Sequence, residues 1–525
     1  MTRSAHFSRG GAQLAGEGPG GARRRAESIG GLLRDALGDA QVADDLWERR
    51  LYDHDIAPTL SVLELMYRTI PDAVVRPRTA ADVQTLLGLA NEHRFPVIPR
   101  GAATWGLGGA VPSGGGVVLD LTSLGRVLGA DAGGLTVSVE AGAVWQDVIR
   151  AALRKGIHIG TYPSSYPSAT VGGWICVGGV GIGTCRYGRI GQNLAALEVV
   201  LPDGSLIEPG RPGSPLLVGS FVGSEGIMGV VTKAVIRAVP LPERIRPVSF
   251  AFPTLGAAGP FLERLGGEGE APEHVMFADR ANFELLRTAG IETGVESALV
   301  TVVLAGTAAS VEGNEGALEG LARSLGGGRA PDEVAEREWR ERSCEFRMRR
   351  AGTGSLPGEV VVPLSRWREA MEGTNRLVKL HRLNAAVIGT LADRGSFMLM
   401  PYYLLDERRE LRTLAAMTFN FRLAELALRL GGTPVGLGIY FSFLLEKMHR
   451  APEVRRLREL KARLDPNCIL NPGKMLEART RLGTRIPVGS SVLMMKLLGM
   501  LRSRMVPEPM DRPGPGFRLE RAGRP

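Results

Sequence analysis

The sequence predicts an α+β protein of at least two domains, and three observations predict it. The chain has 525 residues, more than one hydrophobic core ordinarily serves, so it divides. Short strand-like runs alternate with helical patterns from Ile70 to Pro242, whereas from residue 243 onward strands mix with longer helical patterns, marking a second unit. Glycine is the third observation: there are 70, about twice the ordinary share. They cluster in two segments bounded by strands, as expected where backbone must close on a ligand.

Residues 1–27 are mostly Gly, Arg and Ala and read as a disordered basic tail. The GxGxxG match at Gly16, Gly18 and Gly21 is a false positive, because no strand precedes it and Pro19 interrupts it. Residues 28–66 read as an N-terminal helical arm. The first domain, 67–242, begins with a strand at Ala73–Val75 and a helix over Ala80–His93 that Thr79 can cap. Strands follow at Val97–Ile98, Val117–Leu121 and Leu135–Glu140, then a helix over Val144–Lys155. Leu197–Leu201 turns back at Asp203-Gly204, a hairpin signal, and Val230–Val239 ends at Pro240 and Pro242. Gly156–Cys185 has no Asp, Glu, Lys or Arg and reads as a buried loop region. The second domain, 243–445, shows strands at Ala298–Leu304 and Val360–Val362 and helices over Glu333–Arg350 and Glu407–Leu430. A charged helix and a Pro/Asn-rich return occupy 446–480, and 481–525 is a second basic tail.

Composition narrows the function. The chain is 44% hydrophobic and 23% charged, as in ordinary soluble domains. Its net charge of +9 is weak support for nucleic acid, since no long Lys/Arg run or basic–aromatic pattern accompanies it. Much of the basic excess lies at Arg23–Arg25 and between Arg502 and Arg524; solvated tails are the favoured reading, with an anionic membrane surface or acidic partner as the minority one. Met494–Met500 could form a short amphipathic helix, more simply one that packs on the protein itself. The four cysteines show no CxxC spacing, and neither a signal core nor a membrane span is evident. The expectation is a cytoplasmic protein, with peripheral contact at the inner membrane face through the C-terminal tail as the lesser alternative.

The glycine segments carry the chemistry. Pro99-Arg100-Gly101-Ala102-Ala103-Thr104-Trp105-Gly106 continues to Gly109 and joins two strands. Consecutive small residues let several N–H groups converge on a phosphate without lysine; a plain surface turn would not need Arg100, Thr104 and Trp105. The second segment starts at Pro163-Ser164-Ser165, continues through Thr170, and places eight glycines in Gly172–Gly191. Together they suggest two walls of one extended cofactor site.

Over about residues 30–475 the chain resembles the FAD-linked oxidases of the vanillyl-alcohol oxidase and p-cresol methylhydroxylase (PCMH-type) fold. Within them it is most similar to the group of the glycolate oxidase FAD subunit, D-lactate dehydrogenase and D-2-hydroxyglutarate dehydrogenase. The resemblance implies a PCMH-type FAD-binding domain of two α/β subdomains plus an α+β substrate (cap) domain. Four segments carry it, and each implies cofactor contacts. Pro99, Arg100, Gly101, Ala102, Ala103, Thr104 and Trp105 match the pyrophosphate loop. Pro163, Ser164, Thr170, Gly172, Gly173, Gly178, Gly179, Tyr187 and Gly188 match the segment along the flavin. Glu225, Gly226, Val230 and Val231, within Gly223–Val231, match the run near the adenine end. Asn471 opens the closing Asn-Pro-Gly-Lys, whose asparagine returns to the flavin. Many relatives attach FAD through a histidine of the pyrophosphate loop; Ala103-Thr104-Trp105 offers none, which implies non-covalent FAD.

The catalytic pattern departs from that group. Its His-x-Gly-Asp-Gly-Asn-x-His and Glu-His-Gly motifs hold a divalent metal and the proton-abstracting histidine. Here Asp393–Met400 and Gly432–Ile439 stand instead, with Met398, Met400 and Leu437 at matching positions, and all seven histidines lie elsewhere. No metal of the usual kind is expected. Trp339-x-x-Arg342 resembles the group's carboxylate-holding arginine, with a solvated helix face as the equal alternative. Tyr402, Tyr403 and Tyr440 could act as acid or base near a flavin, though such tyrosines are more often core aromatics. The leading function is an oxidoreductase passing hydride from a small organic substrate, 2-hydroxy acids included, to FAD and then electrons to a separate protein or quinone acceptor. Alternatives are a double-bond reductase, a non-redox synthase, or an FAD electron-transfer subunit of a larger complex.

Overall fold

The computed structural model describes residues 29–57, 66–267, 270–343, 347, 354–405, 410–476 and 479. The expected disorder of residues 1–27, the basic C-terminal tail and the amphipathic stretch 494–500 lie outside the described residues. Among those described, no helix is long and apolar enough to cross a membrane.

One sheet orders its strands Val42–Ala43, Ala73–Val75, Val117–Asp120 and Val97–Arg100, the last three mutually parallel. Parallel strands are covered on both faces, and Val74, Val75, Val117 and Val118 are fully buried accordingly. Helix Ala80–His93 covers one face with Val83, Leu86, Leu87 and Ala90. Thr79 and Asp82 close its first turn as a reciprocal capping box. The N-terminal arm is helical over residues 29–37 but also supplies the edge strand Val42–Ala43. Two residues are too few for alternation to show in the sequence.

A second, antiparallel sheet orders Val127–Asp131, Thr136–Glu140, Val230–Arg237, Leu194–Val200 and Leu206–Ile207. Gly204, at φ +83°, makes the turn that pairs Leu206 with Val200. Helix Trp145–Leu153 buries Trp145, Val148 and Ala152 against this sheet's inner face. The supposed loop region 156–185 contains helix Val171–Val177, and helix Thr184–Tyr187 begins at its end. Gly172 and Gly173 depress helix propensity and hid the first of them.

Among the described residues the second domain forms one nine-stranded sheet. Strands Arg244–Phe252, Ala298–Gly306, His274–Ala278, Ala385–Leu391 and Ser396–Leu405 make its centre, antiparallel throughout. Phe250, Phe261, Phe277, Trp367 and Phe397 fill the core on one face. Ser396–Leu405 is buried almost end to end, so no polar alternation announced it as a strand. The helix expected over Glu333–Arg350 runs only from Asp332 to Arg340, and the one over Glu407–Leu430 is described over Glu410–Arg429.

The chain then returns to the first sheet. After helix Ala451–Leu464, Leu470 bridges Val97, with the Val97 N–H donating to Ile469 O at 2.8 Å and the Asn471 N–H to Val97 O at 2.8 Å. Lys461 Nζ fastens this return by donating to Ile227 O at 2.7 Å and Leu470 O at 2.9 Å.

Candidate functional site

Both glycine segments open onto one cavity of about 240 Å³, whose far wall comes from the second domain. Strand Val97–Arg100 delivers the first segment, and Pro99, Arg100, Gly101, Ala102, Ala103, Thr104 and Trp105 all line the cavity. Ala103 holds φ +50°, a left-handed conformation costing an L-residue roughly 1–2 kcal/mol. Such strain is kept where backbone direction matters. Arg100 donates to His54 O at 2.7 Å and lies over the Tyr52 ring. Burial lowers its pKa, with Asp55 opposing.

The second segment contributes Pro163, Ser164, Thr170, Gly172, Gly173 and Gly179. It touches the first so closely that a Cβ on Gly101 would collide with Thr170 Oγ1; a Cβ on Gly172 would lie 2.7 Å from the Cβ of Ala141, just after strand Thr136–Glu140. Thr170 Oγ1 is buried and has no partner among the described residues. Cys176 also lines the cavity; burial pushes its thiol up to about 12.

Glu225, Gly226, Val230 and Val231 form the third side. Glu225, at φ +50°, sends its buried carboxylate across the domain junction to accept from the Leu437 N–H at 2.7 Å and the Gly438 N–H at 2.9 Å. Burial raises its pKa, and these two N–H groups oppose that shift. Lys474 lies near, buried, with no hydrogen-bond partner for Nζ among the described residues; burial lowers its pKa to about 7 and Glu225 opposes this.

The second-domain wall consists of Ser355, Leu356, Pro357, Gly358, Glu359, Met398, Met400, Asn420, Ala424, Pro434, Val435 and Phe441. Glu359 is its one carboxyl. The Trp105 indole hydrogen-bonds to it, but burial prevails and raises it to about 7. Sequence reasoning missed Glu359; the one available signal was a lone acid abutting the apolar run Val360–Val362.

Several residues expected in the site stand off this cavity. Gly178, at φ +67°, caps helix Val171–Val177, and its added Cβ would lie 3.0 Å from Gly223 Cα, so packing between segments demands this glycine. Tyr187 donates to Glu273 at 2.7 Å at the junction with the second domain, and the adjacent Gly188, at φ +80°, packs on Gln192. Asn471 braces the walls instead of lining them: its Nδ2 donates to Glu225 O at 2.7 Å and Gly109 O at 3.1 Å. Arg342 donates to Tyr162 Oη at 3.3 Å and stacks on Trp339 and Tyr166. Tyr402 follows Met400 on its strand but has passed under helix Arg280–Thr288, where its hydroxyl donates to Asn282. Tyr440 packs with Tyr67 and Val111, and burial raises its pKa. Leu437 meets Glu225 through its backbone, while Met398 and Met400 face the cavity. Among the described residues no group of three or more His, Cys, Asp or Glu could hold a metal ion.

The cradle fits an extended cofactor. Gly101 and Gly172 keep its floor free of side chains, and the unpartnered Thr170 hydroxyl offers a bond. Residues 71–210 match an FAD binding domain, and 241–475 match the C-terminal domain of FAD linked oxidases. The chain is 27% identical over 452 residues to glycolate oxidase subunit GlcD of Bacillus subtilis, covering 83% of this chain and 94% of that one. It is 30% identical over 418 residues to a D-lactate dehydrogenase of Archaeoglobus fulgidus, covering 77% and 91%. The solved structure of p-cresol methylhydroxylase with substrate bound superposes with TM-score 0.74 at 19% identity, covering 87% of this chain and 97% of that one, a likeness of fold. With both domain matches in chain order and this cavity between them, the protein belongs to the FAD-linked oxidases, an FAD-binding oxidoreductase of PCMH-type architecture.

Proposed function

We propose that this chain is a dehydrogenase that oxidises a small 2-hydroxy acid with an apolar side chain, using non-covalently held FAD and no metal. The observation that carries the reading is the wall facing the glycine loops: Met398, Met400, Pro434, Val435 and Phe441 offer thioether and hydrocarbon, with Glu359 as the only carboxyl. The 2-hydroxy acid class rests on the similarity to glycolate oxidase and D-lactate dehydrogenases. An apolar wall favours a hydrocarbon side chain over the bare methylene of glycolate, by about 0.8 kcal/mol per buried CH₂. FAD, when bound, supplies the two-electron acceptor. The chain's own residues do the rest. The Arg100–Trp105 and Thr170–Gly173 backbones hold the cofactor, and Val180, Met398 and Met400 exclude water. Electrons then leave to a separate protein or quinone.

The test is anaerobic bleaching of the flavin with glycolate, D-lactate, D-2-hydroxyhexanoate and D-mandelate. The longer acids should bleach faster than glycolate. No bleaching by any of the four would remove the dehydrogenase reading, and bleaching by glycolate alone would remove the apolar specificity.

Two further results are expected. Acid precipitation should release intact FAD into the supernatant: the first loop has no histidine, and burial keeps the cavity's Cys176 thiol protonated and therefore a poor nucleophile. Flavin retained in the pellet would contradict this. EDTA should leave the bleaching rate unchanged, and elemental analysis should find no stoichiometric zinc or manganese, because thioethers are poor ligands for either ion. Chelator-sensitive activity restored by added metal would overturn the metal-free reading.

A further inference from the structure

We propose that Glu359 is the catalytic base, taking the hydroxyl proton of the substrate. The inference rests on the dehydrogenase reading and adds the group that reading lacks. Three features of the geometry point to it. Glu359 lines the cavity on the second-domain wall, alongside Met398 and Met400. Its backbone is held on both sides: the Val435 N–H donates to Glu359 O at 3.1 Å, and the preceding Gly358 N–H donates to Pro401 O at 2.8 Å. Gly358 packs tightly, since an added Cβ would lie 2.6 Å from Leu423 Cδ2 and force that side chain to shift. The carboxyl accepts from the Trp105 indole of the first glycine loop, which ties it to the opposite wall of the cavity. Glu359 sits in the two-residue link between strands Gly354–Pro357 and Val360–Pro363; a base pinned by backbone bonds on both sides and aimed by a donor keeps its geometry through turnover.

The surroundings suit the task. The other titratable or charged groups on the cavity walls are Arg100, Cys176 and Glu225, and none of them shifts Glu359; burial does so, with Trp105 opposing. A carboxyl raised to about 7 is a stronger base than an exposed one and is half ionised at neutral pH. In the step itself, the carbinol C–H bond breaks, and FAD, when bound, would accept its electron pair as hydride. The O–H proton moves to Glu359 Oε, and the C–O bond becomes a carbonyl. The protonated carboxyl then loses its proton to water, restoring the base.

The experiment uses the full-length holoenzyme with D-mandelate and D-lactate, and the flavin-free protein for a measurement independent of turnover. In Glu359→Gln, which keeps the shape and an acceptor for Trp105, bleaching should slow by about 10²–10⁴-fold, while the substrate concentration at half-saturation changes little. The wild-type rate should rise with pH through an inflection near 7, because only the ionised carboxylate accepts a proton; the variant should lack that inflection. Glu359→Asp should recover part of the rate. In the flavin-free protein, difference infrared spectra should show a protonated carboxyl band that titrates near neutrality and is absent from Glu359→Gln. Bleaching at the wild-type rate in Glu359→Gln, or no such band in the wild type, overturns the proposal. Failure of every acid to bleach the wild-type flavin is a different outcome: it removes the dehydrogenase reading and with it the base.

Discussion

Valine at position 172 is expected to yield a folded but colourless protein. A Cβ there would lie 2.7 Å from Ala141 Cβ and 3.1 Å from Ala141 O, and valine adds two methyl groups that restrict the backbone further. Neither obstacle is the far end of a flexible side chain, so helix Val171–Val177 must move away from the strand that Ala141 follows. That shift carries Gly173 and Thr170 out of the cradle. Overpacking of this kind costs about 1–3 kcal/mol of stability; the displaced cradle also loses cofactor contacts, and an affinity loss of about 100-fold corresponds to about 2.8 kcal/mol of them. Gly101→Val should act from the opposite wall. There the collision is with Thr170 Oγ1, which can rotate away, so the loss arises mainly from the valine side chain occupying cofactor space. The ratio of flavin to protein absorbance after purification measures both, with circular dichroism confirming the fold. Wild-type occupancy in both variants would place the cofactor elsewhere.

Glu225→Ala should destabilise the protein by about 3–5 kcal/mol. The carboxylate is the acceptor for the Leu437 and Gly438 N–H groups, which are buried and belong to the other domain. Orphaning each costs about 1–3 kcal/mol. Lys474 also loses the carboxylate that offsets its burial. Glu225→Gln retains one acceptor oxygen and should lose less. Thermal unfolding of the flavin-free proteins reads the difference as a lowered midpoint, and limited proteolysis should show the two domains separating earlier. An unchanged midpoint in Glu225→Ala would mean that the junction is held by its apolar contacts alone.

Glu225 also shows how far the sequence reaches. Its motif, Gly-Ser-Glu-Gly, is conspicuous in the sequence, and the residue lines the cavity. Its bonds across to Leu437 and Gly438 span 212 and 213 positions in the chain, and no local pattern encodes a contact of that separation. Asn471 is similar. The Asn-Pro-Gly-Lys close is plain in the sequence, yet its role as a brace between Gly109 and Glu225 emerges only once the C-terminal return lies beside Val97.

What the sequence determined by itself was backbone chemistry. Small residues at Arg100–Gly109 and Thr170–Gly179 specify backbone open to close approach, in a loop in the first case and around helix Val171–Val177 in the second, and that requirement is local to the glycines. The capping box at Thr79 and the turn at Asp203-Gly204 are equally local, and both form where the residues indicate. What only the tertiary structure decided was which side chains line the cavity. Tyr402 and Met400 sit two residues apart on one strand, yet Met400 faces the cavity and Tyr402 lies under helix Arg280–Thr288. Glu359 looks like any acid at a strand's edge until the fold places Trp105, Met398 and Met400 around it. The physical reason is that a side chain's ionisation depends on what excludes water from it. Here that exclusion is built jointly by the first glycine loop and the second-domain sheet, with Trp105 and Glu359 254 residues apart in the chain.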